Sequence, residues 1–277
     1  MKPFIKWAGG KRNQTDLIIE ALLGKGRRLV DGCYYEPFLG GGSVLIELMR
    51  RRLLRRGGVV VSDINAELVN AWVQIRDNPQ AVCAEARRWE SNSQVYYWLR
   101  DEVRFTATPE GAARMLWLNR HCFNGVYRVN GDGRFNVPWG KGPTKPLDEG
   151  NIHTVGRALE RLDVVILVQQ WQRSVAVASA GDAIYGDPPY IPVARDSFVA
   201  YSEVGFGMPD QIELINALEA AGRRGAAWAL SNAGSDESFR LYDDRDLTIR
   251  EVWERRNVNR DASKRGKVAE LLITAGA

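Results

Sequence analysis

"YYEPFLGGGSVLIELMRRRLLRRGGVVVSDINAELV", residues 34–69, decides the fold. "YYEPF" reads as a short strand, Gly40, Gly41 and Gly42 as a tight turn, and Ser43 to Arg56 as a helix that ends in a basic run. "GGVVVSDIN" then gives a second strand stopping at Asp63, and helix resumes through "AELVNAWVQIRDN". Strand, helix, strand is a βαβ unit, whose two strands run parallel because the helix takes up the return path. Glycines in the turn let the backbone approach a ligand closely, and a carboxylate about 20 residues further on can accept the hydroxyls of a ribose. The dinucleotide fingerprint G-x-G-x-x-G fails here, since position 45 is Leu. With no turn to cradle a pyrophosphate, an adenosine compound such as S-adenosylmethionine suits the site better.

Working outward, residues 12–23 read as a helix. Downstream, "LDVVILVQQ" (162–170), "DAIYGD" (182–187) and "AAWALSN" (226–232) read as strands, with a helix at 209–222 and two last strands near 247–253 and 268–274. Strands alternating with helices predict an α/β fold, a doubly wound, mostly parallel sheet that binds ligands at the carboxyl ends of its strands. Between Ala71 and Asp163 the alternation stops. There, Thr108 can cap a helix that Pro109 starts, and "VYRV" and "RFNV" flank "NGDG", a hairpin signal. Residues 71–163 are therefore expected to be a helical and hairpin domain inserted into a host formed by 1–70 and 164–277.

The formal net charge of +4 permits a polyanionic partner without requiring one. No apolar run approaches the roughly 20 residues that span a bilayer, and the N-terminus lacks a signal-peptide pattern, so a soluble, cytoplasmic protein without membrane contact is expected. Cys33, Cys83 and Cys122 lack C-x-x-C spacing, and only His121 and His153 could assist them. Neither a disulfide nor a metal is expected, and both histidines are read as structural. No oligomeric state follows from the sequence.

A further stretch, "GDAIYGDPPYIPVARDSF" (181–198), runs an apolar strand into an acid, two prolines and a tyrosine. Proline fixes its own φ and pushes the preceding residue out of helix, so Asp187 is held extended. Alone, such a turn can be punctuation.

"FIKWAGGK", "EPFLGGGSV", "SDINAELV", "LNRHCFNGVYRVNGDGRFNVPWGK" and "DPPY", in that order, resemble the Dam-type DNA adenine-N6 methyltransferases, and the likeness covers nearly the whole chain. It implies a Rossmann-like methyltransferase fold, S-adenosyl-L-methionine as cofactor, double-stranded DNA as substrate, and a target-recognition domain at the insertion. An exocyclic adenine amine is a poor nucleophile because its lone pair is delocalised into the ring. Asp187 and the carbonyl of Pro188, stiffened by Pro189, could accept its two N–H bonds and aim the lone pair at a sulfonium methyl. Tyr190 can stack on the adenine, which must leave the duplex to arrive.

By the same resemblance, Trp7, Lys11, Asp63 and Asp187 fall on cofactor-contacting positions, with Glu36, Phe38, Gly40 and Gly42 added. In the hairpin region Arg128 matches a guanine-reading arginine, and Val126 and Pro138 match positions that meet a thymine methyl. Phe123 matches an aromatic wedge, Asn124 its neighbour on the orphaned base, and Lys6 a lysine touching a base. Arg120, Asn130, Asn136 and Lys141 are candidate backbone or base contacts. Gly142 and Pro143 depart from the family, which carries an aromatic near the first base of its GATC site, so GATC or another GAT-containing site is the favoured target. Gln169 and Gln170 leave the cofactor's base contact unassigned. Two rival readings stand: the same catalytic frame acting on RNA, and a DNA-binding relative that has lost catalysis, although "DPPY" and "EPFLGGG" are intact.

Overall fold

The structure, a computed structural model, describes residues 1–24, 29, 31–140, 146–190, 206–255 and 267–276. Along the chain these form α1 Thr15–Leu23, β1 Tyr34–Glu36, α2 Ser43–Arg50, β2 Val59–Asp63, α3 Ala66–Asp77, α4 Pro79–Arg87, α5 Ser93–Asp101, α6 Pro109–His121, α7 Glu149–Leu162 and β3 Val165–Val168. They continue with α8 Trp171–Val177, β4 Ala183–Gly186, α9 Met208–Arg223, β5 Ala227–Ala233, α10 Asp236–Tyr242, β6 Leu247–Arg255 and β7 Lys267–Ala275. Two compact units emerge, Met1–Arg12 with Leu39–Gln169, and Asn13–Phe38 with Gln170–Ala277.

In the first unit β2 and β3 pair in parallel, Val60 opposite Val165 and Asp63 opposite Val168. Its helices start where local chemistry says they should. Asn65 caps α3 by accepting from Leu68 N at 3.1 Å, and Thr108 caps α6 by accepting from Gly111 N at 3.2 Å, with Pro109 first inside. Every residue of α6 from Gly111 to Asn119 is buried, so this helix is the unit's axle. Trp117, Leu118 and Cys122 pack with Tyr96, Leu99, Phe135 and Val137 in one apolar cluster, where each large side chain contributes about 1.5–3 kcal/mol.

In the second unit β1, β4 and β5 run parallel, Tyr34 beside Ala183 and Ile184 beside Trp228. β7 then joins β5 antiparallel, with Leu230 opposite Ile273, and β6 pairs antiparallel with β7. All four residues of β4 are buried, which places a central strand directly before Asp187. The protein is thus an α/β fold whose seven described strands pair mostly in parallel. No helix among the described residues is long and apolar enough to cross a membrane.

Two local readings change. The helix expected to reach Arg56 stops at Arg50, because Arg52 turns left-handed at φ 57° and Leu53 N bonds back to Leu48 O at 3.0 Å. The hairpin is an antiparallel ribbon with isolated bridges, Val129 to Phe135 and Cys122 to Trp139, in place of two laddered strands. Backbone bonds such as Asn130 N to Arg134 O and Gly133 N to Asn130 O are joined by side chains: Asn130 Oδ1 accepts from Asp132 N and Arg134 N, and the Cys122 thiol donates to Val126 O. Within the first unit α3 packs on α6, α7 and β2.

Candidate active site

In the first unit the glycine turn is shaped by its neighbours. Gly40 and Gly42 sit at φ 48° and 62°, and a Cβ there would lie 2.8 Å from the Trp7 indole and 2.4 Å from the Trp72 ring, respectively. Both backbone conformation and space demand glycine. Asp63 closes the turn from the end of β2: Oδ2 accepts from Gly40 N and Oδ1 from Asn65 N, each at 3.0 Å. Trp72 Nε1 donates to Gly40 O at 3.1 Å from the other side. Burial pushes the Asp63 carboxyl above its usual range, against the backbone amides of Asn65, Gly40 and Ile64, which pull it down. Two amides, Gly40 N and Asn65 N, draw on about four lone-pair directions, so the carboxylate keeps acceptor capacity for further donors.

Trp7 stacks on Tyr127, ring centroids 5.1 Å apart, which covers one face of its indole. Lys11 is 3% exposed and its Nζ donates to Gly9 O, so the amine folds into its own loop. Asn119, also buried, accepts from Lys6 N at 3.0 Å and donates to Lys6 O at 2.9 Å and to Gly125 O at 3.1 Å. This one carboxamide ties the Lys6–Trp7 segment to the turn that carries Phe123 and Asn124. Gly125, at φ 65°, has the Lys6 side chain lying across it; a Cβ there would come 2.3 Å from Lys6 Cδ.

On that turn Asn124 is left-handed at φ 57°, and Phe123 is 51% exposed, an apolar ring left in solvent. Phe123 N donates to Pro138 O at 2.9 Å, so the two expected DNA contacts are neighbours. Arg128 is exposed, and its Nε donates to Asn136 Oδ1 at 2.7 Å, which pairs two more. Val126 and Arg120 are half-buried. Asn130 serves the ribbon's turn with its carbonyl oxygen, and Lys141 lies outside the described residues.

In the second unit Pro188 is buried and Asp187 half-buried beyond β4. The Pro189 carbonyl accepts from Gln211 Nε2 at 2.7 Å, and Gln211 Oε1 accepts from Asn232 Nδ2 at 3.1 Å, which also donates to the Tyr242 hydroxyl at 2.8 Å. Gln211, Asn232 and Tyr242 are all buried, so the acidic turn is bolted to α9 and β5. Tyr190 donates to Glu270 Oε2 at 3.3 Å, and Gln14 Nε2 donates to the same oxygen at 2.7 Å. Burial, with Asp187 and Glu270 nearby, pushes the Tyr190 phenol far up, so it stays neutral and is no general base. Glu36 is buried and accepts from the Tyr34 hydroxyl at 2.7 Å; Phe38 meets Phe206 edge-on at 5.7 Å.

Sequence reasoning missed Gln211, Asn232 and Glu270. Glu270 did leave a signal, an acid inside the apolar run "KVAELLITA". Gln211 and Asn232 left none, being ordinary residues of a helix start and a strand end.

A family model of the D12 class of N6 adenine-specific DNA methyltransferases matches residues 7–258. The type II methyltransferase M1.LlaDCHI of Lactococcus lactis is 34% identical, the match covering 99% of this chain and 95% of that protein. M.MjaIII, a type II methyltransferase of Methanocaldococcus jannaschii, is 33% identical, covering 99% and 98%. A DNA adenine methylase of Vibrio cholerae is 32% identical, covering 98% and 95%.

Proposed function

Because the chain belongs to the D12 class of N6 adenine-specific DNA methyltransferases, we propose that it methylates N6 of an adenine flipped out of duplex DNA, using S-adenosyl-L-methionine, at GATC or another GAT-containing site. When bound, the cofactor supplies an electrophilic sulfonium methyl. The chain's own residues do the rest.

Asp187 and the Pro188 carbonyl accept the two N–H bonds of the target amine, turning its lone pair outward. Acceptors fixed in advance need no reorganisation as charge develops, and this turn is fixed. The observation that carries the reading is the buried Gln211 amide gripping the Pro189 carbonyl, which holds the acid's frame from behind. Tyr190, neutral with its hydroxyl engaged, offers only its ring, which suits stacking on a purine.

We assign the cofactor to the first unit's turn, where the Trp7 indole packs against Gly40 and Asp63, bound by two amides, keeps acceptor capacity for ribose hydroxyls. Trp7 and Lys11 line the same unit's N-terminal segment, and Glu36, Phe38 and Gly42 complete the proposed cofactor set. In the ribbon, Arg128 reads a guanine edge, Val126 and Pro138 meet a thymine methyl, Phe123 fills the gap left by the flipped base, and Asn124 and Lys6 contact bases. Arg120, Asn130, Asn136 and Lys141 contact the DNA backbone or its bases. The solvent-exposed Phe123 ring supports the wedge role, since an apolar ring in water gains by entering a base stack. Residues 71–163 act as the target-recognition domain. The family description and the DNA adenine methylase relative, both named for DNA, favour DNA over the RNA reading.

The test is labelled methyl transfer to duplex oligonucleotides. Asp187→Ala is expected to abolish transfer while DNA affinity stays within a small factor; unchanged transfer would remove the mechanism. Sequencing of modified adenines then reads the target site directly.

A further inference from the structure

Glu149 opens α7 and His153 follows one turn later, so the two side chains leave the same face of that helix. The face lies against α4 with the numbering running in opposite directions. At one end Arg87 NH1 meets Glu149 Oε2 at 3.1 Å; at the other, a Cβ on Gly156 would lie 3.5 Å from Pro79 Cγ. Midway, a ligand atom each from Cys83, Glu149 and His153 lie within 4.8 Å of one another, the one such group found among the described residues.

We propose that Cys83, Glu149 and His153 form a binding site for a zinc-class divalent cation that clamps α4 to α7. Thiolate sulfur, imidazole nitrogen and carboxylate oxygen are a donor set that zinc accepts, while magnesium and calcium favour all-oxygen shells. Bonds of about 2.0–2.3 Å place tetrahedral neighbours about 3.3–3.8 Å apart, so these donors close on an ion by moving about 1 Å. Solvent takes the fourth position.

The helices hold the donors in place. A Cβ on Gly156 would sit 2.3 Å from Ile75 O, so α7 is seated against backbone, and Cys83 is buried in the middle of α4. The Arg87–Glu149 pair competes only weakly, its side chains being 64% and 35% exposed. Such a pair is worth about 1 kcal/mol or less, so a cation displaces the guanidinium, whose NH1 meets the two Glu149 oxygens at 3.3 and 3.1 Å. On binding, the thiol proton passes to buffer and the sulfur–metal bond replaces it. None of the three residues belongs to the proposed methyl-transfer machinery, so the site stands or falls apart from that reading.

The untagged full chain, stripped with chelator, is titrated with cobalt(II) as a spectroscopic probe and then with zinc. A near-ultraviolet thiolate-to-cobalt band is expected, saturating at one ion per chain and erased by zinc. Cys83→Ser removes the band, His153→Ala and Glu149→Gln each weaken binding about 10-fold or more, and Cys33→Ser leaves it intact. Zinc raises the melting temperature of the parent chain and not that of Cys83→Ser. Absence of the band, or its survival in Cys83→Ser, overturns the site. Should Cys83→Ser fail to fold, unchanged cobalt affinity in His153→Ala does the same.

Discussion

Tyr127 lies over Trp7 with the ring planes 28° from parallel, and its hydroxyl donates to Glu67 Oε2 at 3.1 Å. Glu67 in turn pairs with the nearly buried Arg114 at 3.1 Å, so the tyrosine is anchored at one end and stacks at the other. A residue of the proposed DNA-reading ribbon thereby braces a residue of the proposed cofactor loop. Stacked aromatic pairs contribute about 0.5–1.5 kcal/mol beyond area, a factor of roughly 2 to 12 in affinity. Tyr127→Ala is expected to weaken S-adenosyl-L-methionine binding by that factor in calorimetry, while Tyr127→Phe stays near the parent. Equal losses in both variants would assign the effect to the Glu67 bond.

The Gln211 grip on Pro189 makes a separate claim about rate. Gln211→Leu keeps approximate volume and leaves the Pro189 carbonyl and the Asn232 amide without this partner; each orphaned buried group costs about 1–3 kcal/mol. Looser acceptors misplace the target amine, so kcat falls while KM for DNA holds. Single-turnover methylation checks this: a change confined to KM would make Gln211 a binding residue, contrary to expectation.

What the sequence revealed, and what it hid, follows from how far each cause acts along the chain. Strands β2, β4 and β5 were legible because a short apolar run bounded by turn residues is a local signature, and α3 and α6 because their caps are. The premature end of α2 was not, since arginine is a good helix former and nothing at Arg52 announces a left-handed turn. The glycine turn and Asp63 could be found from spacing. That the Gly40 and Asn65 amides already engage Asp63 could not, because amide direction is a property of the folded turn. Gln211 and Glu270 reach Pro189 and Tyr190 across 22 and 80 residues of sequence, and no periodicity encodes such distances.

Arg128 and Asn136 face each other across the ribbon at 2.7 Å, which stiffens a long exposed side chain before any DNA arrives. Arg128→Ala is expected to cost about 1–3 kcal/mol of discrimination at one base pair, and Asn136→Ala a smaller part of it at the same pair. Methylation rates on a panel of single-substituted duplexes measure both. Uniform loss on every duplex would make Arg128 a phosphate contact.

His121 supplies the pH dependence. Its Nδ1 lies 2.7 Å from Trp117 O and its Nε2 3.0 Å from Ser91 Oγ, so the neutral ring donates through Nδ1 and accepts the serine hydroxyl at Nε2. The ring stacks on Trp117 at 3.8 Å and on Trp139 at 5.5 Å. Two indoles would attract an imidazolium, yet burial dominates and holds the pKa below its ordinary 6.5, with Arg120 adding to the depression. A group whose folded pKa lies below its unfolded one binds fewer protons in the folded chain. The stability that it contributes is therefore complete above about pH 6.5 and is lost as pH falls through that value toward the folded pKa. One proton accounts for at most about 1.4 kcal/mol per pH unit. Urea unfolding at pH 7.5 and 5.5 is expected to show a larger loss for the parent than for His121→Phe, which keeps an aromatic ring but cannot titrate. Because every other titrating group is common to both chains, equal slopes would mean that His121 takes up its proton inside the fold.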